Sequence, residues 1–505
     1  MGKFVTDSNN EWTPELLEEA WKHIEEIGVG EMGLELYENQ FEIVGSDGML
    51  EAYASVGLPI NYQHWSFGKK LLTDTARYKR GHQGLAYELV INSSPCINYL
   101  MEENTLTTQM LVMAHAGVGH NAVFKGNEHF REWTMADYIV PYMKFAKAYI
   151  AECETKYGWQ KVEQVLDAAH ALQNYSVDKY KKPHKPKGAA AAAQKAKHEF
   201  DEQTYDQYIN SWTEYANRKE ENKEVEIKDV EPTENILYFI EKNAPNLKQW
   251  EREVVRIVRM IGQYFFPQLS CQVTHEGVAT FTHHHIVSRL DEKGIVDSAF
   301  MMEFAQMHAG VVWQRDMHPL HNPYKLGWEI FKDIKRMCET PTKEDELWFP
   351  HLVGKPFWPE FRHAFKNFKD TSLIQQYVSP KLIRDFKLMA LHDGGDQVDH
   401  YDVTEVSDEV GYGKIRKMMA DSKDINLRLP RIEVADVLSK GDRRLILKHH
   451  MNGNIELDRE EAAKTLKLVY RLWQFPVEIQ SFKKNEDGTE TYKGSITFKP
   501  EKSED

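Results

Sequence analysis

Apolar residues recur at helical spacing through most of this 505-residue chain. After Thr13-Pro14-Glu15-Leu16, a start signal with Thr as cap and Pro in the first turn, Leu17, Ala20, Trp21 and Ile24 fall on one face. Trp250, Val254, Ile257, Val258 and Ile261 do the same over 246–266. Further helical patterns cover 103–125, 134–156, 159–179, 270–290, 296–314 and 323–338. A chain with this period cannot lay the same residues into strands, where alternate side chains leave from opposite faces. A large, mainly α-helical body follows.

The pattern changes twice. From 183 to 230 it gives way to Lys-Pro-rich sequence, five alanines from Ala189 to Ala193 and a charged polar stretch, with little to bury. The last hundred residues alternate more than they spiral. An extended piece is expected near 398–406, a helix near 410–420, strands at 432–438 and 445–448, a helix from Asp458 to Leu472, and a strand pair at 477–482 and 489–492. The first six of these elements, βαββαβ, follow the order of a ferredoxin-like module. The expected class is α+β: a helical body over 1–182 and 231–394, a polar, Ala-rich linker or exposed helical insertion over 183–230, and a ferredoxin-like module over 395–505.

Composition narrows the function classes. A chain of this length calls for two or three domains. The longest apolar stretches, such as 110–114, fall far short of the roughly 18 to 20 residues of a membrane span, and the N-terminus has no secretory pattern; a cytoplasmic protein with no transmembrane segment is expected. Cys96, Cys153, Cys271 and Cys338 lie far apart, as inert thiols in a reducing compartment would. The net charge of −15 repels a phosphate backbone, so nucleic acid is not an expected partner. Phosphate-loop, dinucleotide and nucleophile-elbow motifs are missing, which sets aside phosphoryl transfer and serine hydrolysis.

The 22 histidines gather in a few places. In Met113-Ala-His115-Ala-Gly-Val-Gly-His120 the two rings stand five residues apart, about 140° around a regular helix. A π-type bulge would bring them together, and Gly117 and Gly119 make such a deformation plausible. In His275-Glu276-Gly277-Val278-Ala279 the His-Glu-x-x-His motif fails at Ala279. Glu276 and His283 share a face but are separated by about 10.5 Å of rise, so one can bind an ion while the other supports it. His283, His284 and His285 must point three ways, which leaves some of them at the surface. Glu303 with His308, then His318 and His321, form a looser third group, and His170 stands by itself.

The segments Leu58-Pro-Ile-Asn-Tyr-Gln-His-Trp-Ser-Phe-Gly-Lys69, Glu102-Glu-Asn-Thr105, 114–125, 170–182, Asn322-Pro-Tyr324 with Leu326-Gly327, and Arg471-Leu-Trp473 resemble the stage V sporulation protein R family over nearly the whole chain. Where that family typically reads Asn-Glu-Gly-Trp-Ala, this chain has His275-Glu276-Gly277-Val278-Ala279, and Thr282 replaces an aromatic before His283. The resemblance implies a link to the spore cortex and peptidoglycan in spore formers. Elsewhere it implies stress or stationary-phase physiology with a serine-kinase partner system. A more distant similarity is to helical zinc peptidases, in which a two-histidine helix is followed by a Glu-Gly-Trp-Ala segment. On that similarity His115, His120 and Glu276 hold zinc, with iron as the alternative metal. Those enzymes carry their general base directly after the first His, where this chain has Ala116. Glu103 or Glu128 is then expected to polarise the water, with His283 or His308 near the substrate.

Three function classes follow. A metal-dependent hydrolase would cleave amide bonds in peptidoglycan-derived peptides or precursors. A non-enzymatic regulator would bind protein partners. A di-iron carboxylate enzyme would need paired Glu-x-x-His motifs, and no convincing pair occurs.

Overall fold

The computed structural model describes residues 11–55, 61–79, 88–179, 233–314, 322–388, 390–393, 401–405, 408–438, 441–485 and 487–499. The expected linker over 183–230, together with His318 and His321, lies outside these residues. The chain forms two compact units, one of Met1–His170 with Ile257–Pro430, the other of Ala171–Arg256 with Arg431–Asp505. Among the described residues no helix is long and apolar enough to cross a membrane. All four cysteines are free and buried.

The larger unit is mainly helical. Its first helix, Pro14–Glu25, begins at Thr13, whose side chain accepts the Leu16 N–H, and it buries Leu17, Ala20 and Ile24. A small sheet follows, with strands β1 (Asn39–Val44), β2 (Glu88–Ile91) and β3 (Cys96–Met101) in the order β1-β3-β2. β3 runs parallel to β1 and antiparallel to β2. From β3 the chain turns at Thr105, which caps the next helix by accepting the Thr108 N–H.

That helix is the axis of the unit. It is α-helical over Leu106–Val112, π-helical over Met113–His120 and α-helical again over Asn121–Gly126. Every residue from Leu106 to Phe124 is buried, the pattern of a helix surrounded on all sides. Against it lies the helix Gln272–Glu292, and on that one the helix Pro323–Glu339. Phe281 on the middle helix packs its ring 5.8 Å from Trp328, 5.4 Å from Phe357 and 5.2 Å from Phe361, centroid to centroid. Burial of such aromatics supplies much of the core's stabilisation.

The smaller unit holds the helix Ile236–Asn243 and a four-stranded sheet. Its strands β6 (Arg431–Val437), β7 (Leu445–Met451), β8 (Val477–Lys484) and β9 (Glu490–Phe498) are ordered β6-β7-β8-β9. β7 and β8 are parallel, and the helix Arg459–Trp473 makes the crossover that parallel neighbours require. The other two pairs are antiparallel. Trp473 is fully buried beside Phe239, with ring centroids 6.0 Å apart.

The ferredoxin-like expectation is corrected here, because the sheet is ββαββ in simple order. The extended piece expected near 398–406 is instead β5 (Tyr401–Glu405), paired in a hairpin with β4 (Ala390–Asp393). The helix after it, Glu409–Lys423, buries Tyr412, Met419 and Ala420 in the core of the larger unit. Neither element is left to pair with the four-stranded sheet.

Candidate metal centre

The π-helical stretch explains how two histidines five residues apart can meet. Its wider turn puts His115 and His120 on the same side, with ring centroids 4.7 Å apart and planes at 85°. The glycines permit close contact as well as the deformation. A Cβ on Gly119 would lie 2.5 Å from the Ala279 Cα, and one on Gly117 would lie 2.9 Å from the Phe41 ring.

The facing helix, Gln272–Glu292, is anchored at its start by a residue remote in sequence. The buried Asp370 carboxylate accepts the N–H groups of Val273 at 2.9 Å and Thr274 at 2.8 Å, and the Thr274 hydroxyl at 2.9 Å. Two residues further on, Glu276 Oε2 stands 3.6 Å from His115 Nε2 and 3.5 Å from His120 Nε2. Ordinary N–H···O bonds run about 2.7 to 3.2 Å. Two ligand atoms on a tetrahedral zinc ion at about 2.1 Å are roughly 3.4 Å apart. The observed spacing is therefore that of ligands sharing an ion rather than of a hydrogen bond.

An orphaned atom supports this reading. Glu276 Oε2 is buried with no hydrogen-bond partner among the described residues. A buried carboxylate oxygen without a partner is costly, and a cation at this point would satisfy it. Charge states agree with the same requirement. Burial pushes His120 well below the usual imidazole range. Burial acts to raise the Glu276 carboxyl, but His275, His120 and His115 around it outweigh that and hold it well below its ordinary value. A neutral imidazole and an ionised carboxylate are the forms that bind metals.

Behind His115 runs a chain of imidazoles. His115 Nδ1 is 2.8 Å from His283 Nδ1, and His283 Nε2 is 2.9 Å from His308 Nδ1. With His115 Nε2 presented to the centre, its Nδ1–H donates to His283 Nδ1, and His283 in turn donates from Nε2 to His308. Burial pushes His283 well down and His308 to about 4, His284 adding to the latter, so the rings are neutral at physiological pH. His283 thus meets His115 by a hydrogen bond and stands outside the group that His115, His120 and Glu276 form.

The remaining expected residues divide. His284 is half-buried between Trp328 and His308, and His285 lies against Trp358, so neither is at the surface as expected. Glu103 is exposed and accepts the Ser46 N–H at 3.3 Å. Glu128 is exposed in the first turn of the helix Glu128–Trp133. Glu103 lies in the turn before the axis helix, and Glu128 begins a separate helix after the extended Asn127. Among the described residues neither belongs to the group of ligand atoms that His115, His120 and Glu276 form. Glu303 accepts the Thr105 hydroxyl at 2.6 Å.

Three neighbours were not anticipated. His275 Nε2 lies 3.6 Å from Glu276 Oε1, and its ring centroid is 4.9 Å from that of His120. Tyr324 stacks on His115 at 6.1 Å. Asp370 sets the helix start. The His-Glu pair hinted at the first; nothing local in sequence pointed to the other two.

A family model described as SpoVR like protein matches residues 11–428, and one described as SpoVR-like C-terminal domain matches 430–484. The chain is 44% identical over 486 residues to a protein of Escherichia coli (strain K12) described as uncharacterized protein YcgB, a match covering 95% of this chain and 94% of that one. No solved structure matches it. With His115, His120, Glu276, His283 and His308 all inside the first match, and the four-stranded sheet beginning where the second does, the chain belongs to the SpoVR family.

Proposed function

We propose that this protein is a metal-dependent hydrolase of amide bonds, holding zinc through His115 Nε2, His120 Nε2 and a Glu276 oxygen. The observation that carries the reading is the buried, unpartnered Glu276 Oε2 with two imidazole nitrogens at 3.5 and 3.6 Å. Iron is the alternative occupant of the same donors. Zinc bound by three protein ligands supplies Lewis acidity and lowers the pKa of a coordinated water to about 7. His115 is held in its ligating tautomer by His283, and His283 by His308. Cell-wall peptides or their precursors are the substrate class, on the resemblance to a family tied to the spore cortex.

A second reading is a regulator that binds protein partners, including a kinase system, and uses the metal for structure. Burial favours it: His115 and His120 are each only 4% exposed. Elemental analysis of untagged protein separates these readings from a metal-free one. About one zinc per chain, lost in His115→Ala, His120→Ala and Glu276→Gln with helical content retained, supports the centre. A metal-free wild type after reconstitution with zinc or iron overturns it. Zinc-loaded protein is then incubated with peptidoglycan fragments; peptide release, absent in Glu276→Gln, supports hydrolysis, and no release favours the regulator.

A further inference from the structure

A second group of ligating side chains lies away from this centre, on the helix Trp159–His170 and the segment before the helix Trp65–Lys79. Glu163 and Asp167 are four residues apart on the first helix and so share a face. Both carboxylates converge on one buried imidazole. His64 Nε2 is 3.2 Å from Asp167 Oδ1 and 3.9 Å from Glu163 Oε1, and one ligand atom from each of the three residues lies within 4.8 Å of the others.

The surroundings fix this arrangement. His64 Nδ1 accepts the Ser66 N–H at 3.3 Å and is 2.6 Å from Ser66 Oγ, which aims Nε2 at the carboxylates. His170 packs edge-on against His64 with centroids 4.4 Å apart, and its Nε2 is held by the Tyr62 hydroxyl. Trp65 donates its backbone N–H to Glu163 at 3.4 Å and its indole N–H to Asp167 at 2.7 Å. No lysine or arginine pairs with Glu163 or Asp167 among the described residues. Two carboxylates on adjacent turns repel each other, and the single His64 nitrogen facing them, Nε2, has at most one N–H to share between them.

We propose that His64, Glu163 and Asp167 form a second site, for a divalent first-row cation of the manganese, iron or zinc class. One imidazole and two carboxylates are a donor set suited to these ions. With a cation on Nε2, the His64 Nδ1–H would donate to Ser66 Oγ, the outer hydrogen bond that orients metal-bound histidines. The cation supplies the positive charge that no lysine or arginine provides there. In its absence a hydrogen bond from His64 Nε2–H to Asp167 closes the site.

The proposal does not rest on the zinc centre, and one experiment separates the two. Untagged full-length protein is stripped with a chelator and titrated with Mn²⁺, with free Mn²⁺ followed by electron paramagnetic resonance. Wild type and Glu276→Gln should share a Mn²⁺ site that Glu163→Gln and Asp167→Asn each weaken by roughly tenfold or more. Thermal melts of the variants without metal check that the fold is intact. Binding unchanged in both Glu163→Gln and Asp167→Asn overturns the site. So does binding abolished by Glu276→Gln alone, or no Mn²⁺ binding by wild type.

Discussion

Gly277 and Gly327 meet backbone to backbone: a Cβ on Gly277 would lie 2.5 Å from the Gly327 Cα. The crossing lets the helix bearing Glu276 sit deep between the two helices that flank it. Any side chain at this point must push the helices apart, and Glu276, one residue away, moves with them.

Gly277→Ala should therefore destabilise the protein by about 1 to 3 kcal/mol, the usual cost of overpacking a core, and reduce its metal content as well. Gly310→Ala is the control. A Cβ there meets nothing within 4 Å, and in the helix Ser298–Val311 the change should be neutral or stabilising by up to about 1 kcal/mol. Thermal melts with elemental analysis read both effects, and equal melting temperatures for the two variants would count against the packing argument.

In the proposed centre His283 acts through its hydrogen bond to His115, so His283→Ala should keep the metal stoichiometry and weaken affinity by about 10- to 100-fold. Competition with a chromophoric chelator measures this. A variant that loses zinc as completely as His120→Ala would place His283 among the direct ligands instead.

Asp370→Ala removes three hydrogen bonds to a buried carboxylate, at a cost of roughly 2 to 4 kcal/mol. Burial raises the pKa of this carboxyl, with the bonds from Val273 and Thr274 opposing. Asp370→Asn keeps an acceptor and should fall between Ala and wild type in chemical denaturation.

Stability should decline on mild acidification. Burial, with Lys369 adding, pushes His129 from 6.5 to about 4, and its Nε2 lies 2.8 Å from Ser270 Oγ. A histidine with a depressed folded pKa takes up protons more readily when unfolded. Its contribution is present above about pH 6.5 and is lost as pH falls toward 4, to the extent of at most about 3 kcal/mol. Denaturation midpoints between pH 7.5 and 4.5 should fall for wild type and be flatter for His129→Gln.

Much of the site was legible because its signals are local. Two histidines five apart around two glycines announce a widened turn, and Glu276 stands in a recognisable segment. The helical body was legible for the same reason, since a 3.6-residue period survives without knowledge of partners. Strand pairing did not carry over in the tail. Each strand was visible by itself, but whether the piece near 401–405 joins β6 or a hairpin depends on where the helix after it finds a core. Glu103 and Glu128 are near the histidines in sequence, yet both are exposed and lie beyond the ends of the buried axis. Asp370 was invisible because its target, the Val273 N–H, is 97 residues away.

The π-helical stretch also has an arithmetic side. It amounts to one residue inserted into an α-helix, so removing one residue between His115 and His120 would restore four-residue spacing and could leave the ring pair together. The wider turn takes up that residue locally, so the helix past His120 keeps the phase it would have without it. Asn121 accepts the Tyr37 N–H at 2.8 Å and donates to the Tyr37 carbonyl at 2.9 Å in that phase. The cost of the extra residue is confined to the turn between the two histidines, and the packing on either side of it is that of an ordinary helix.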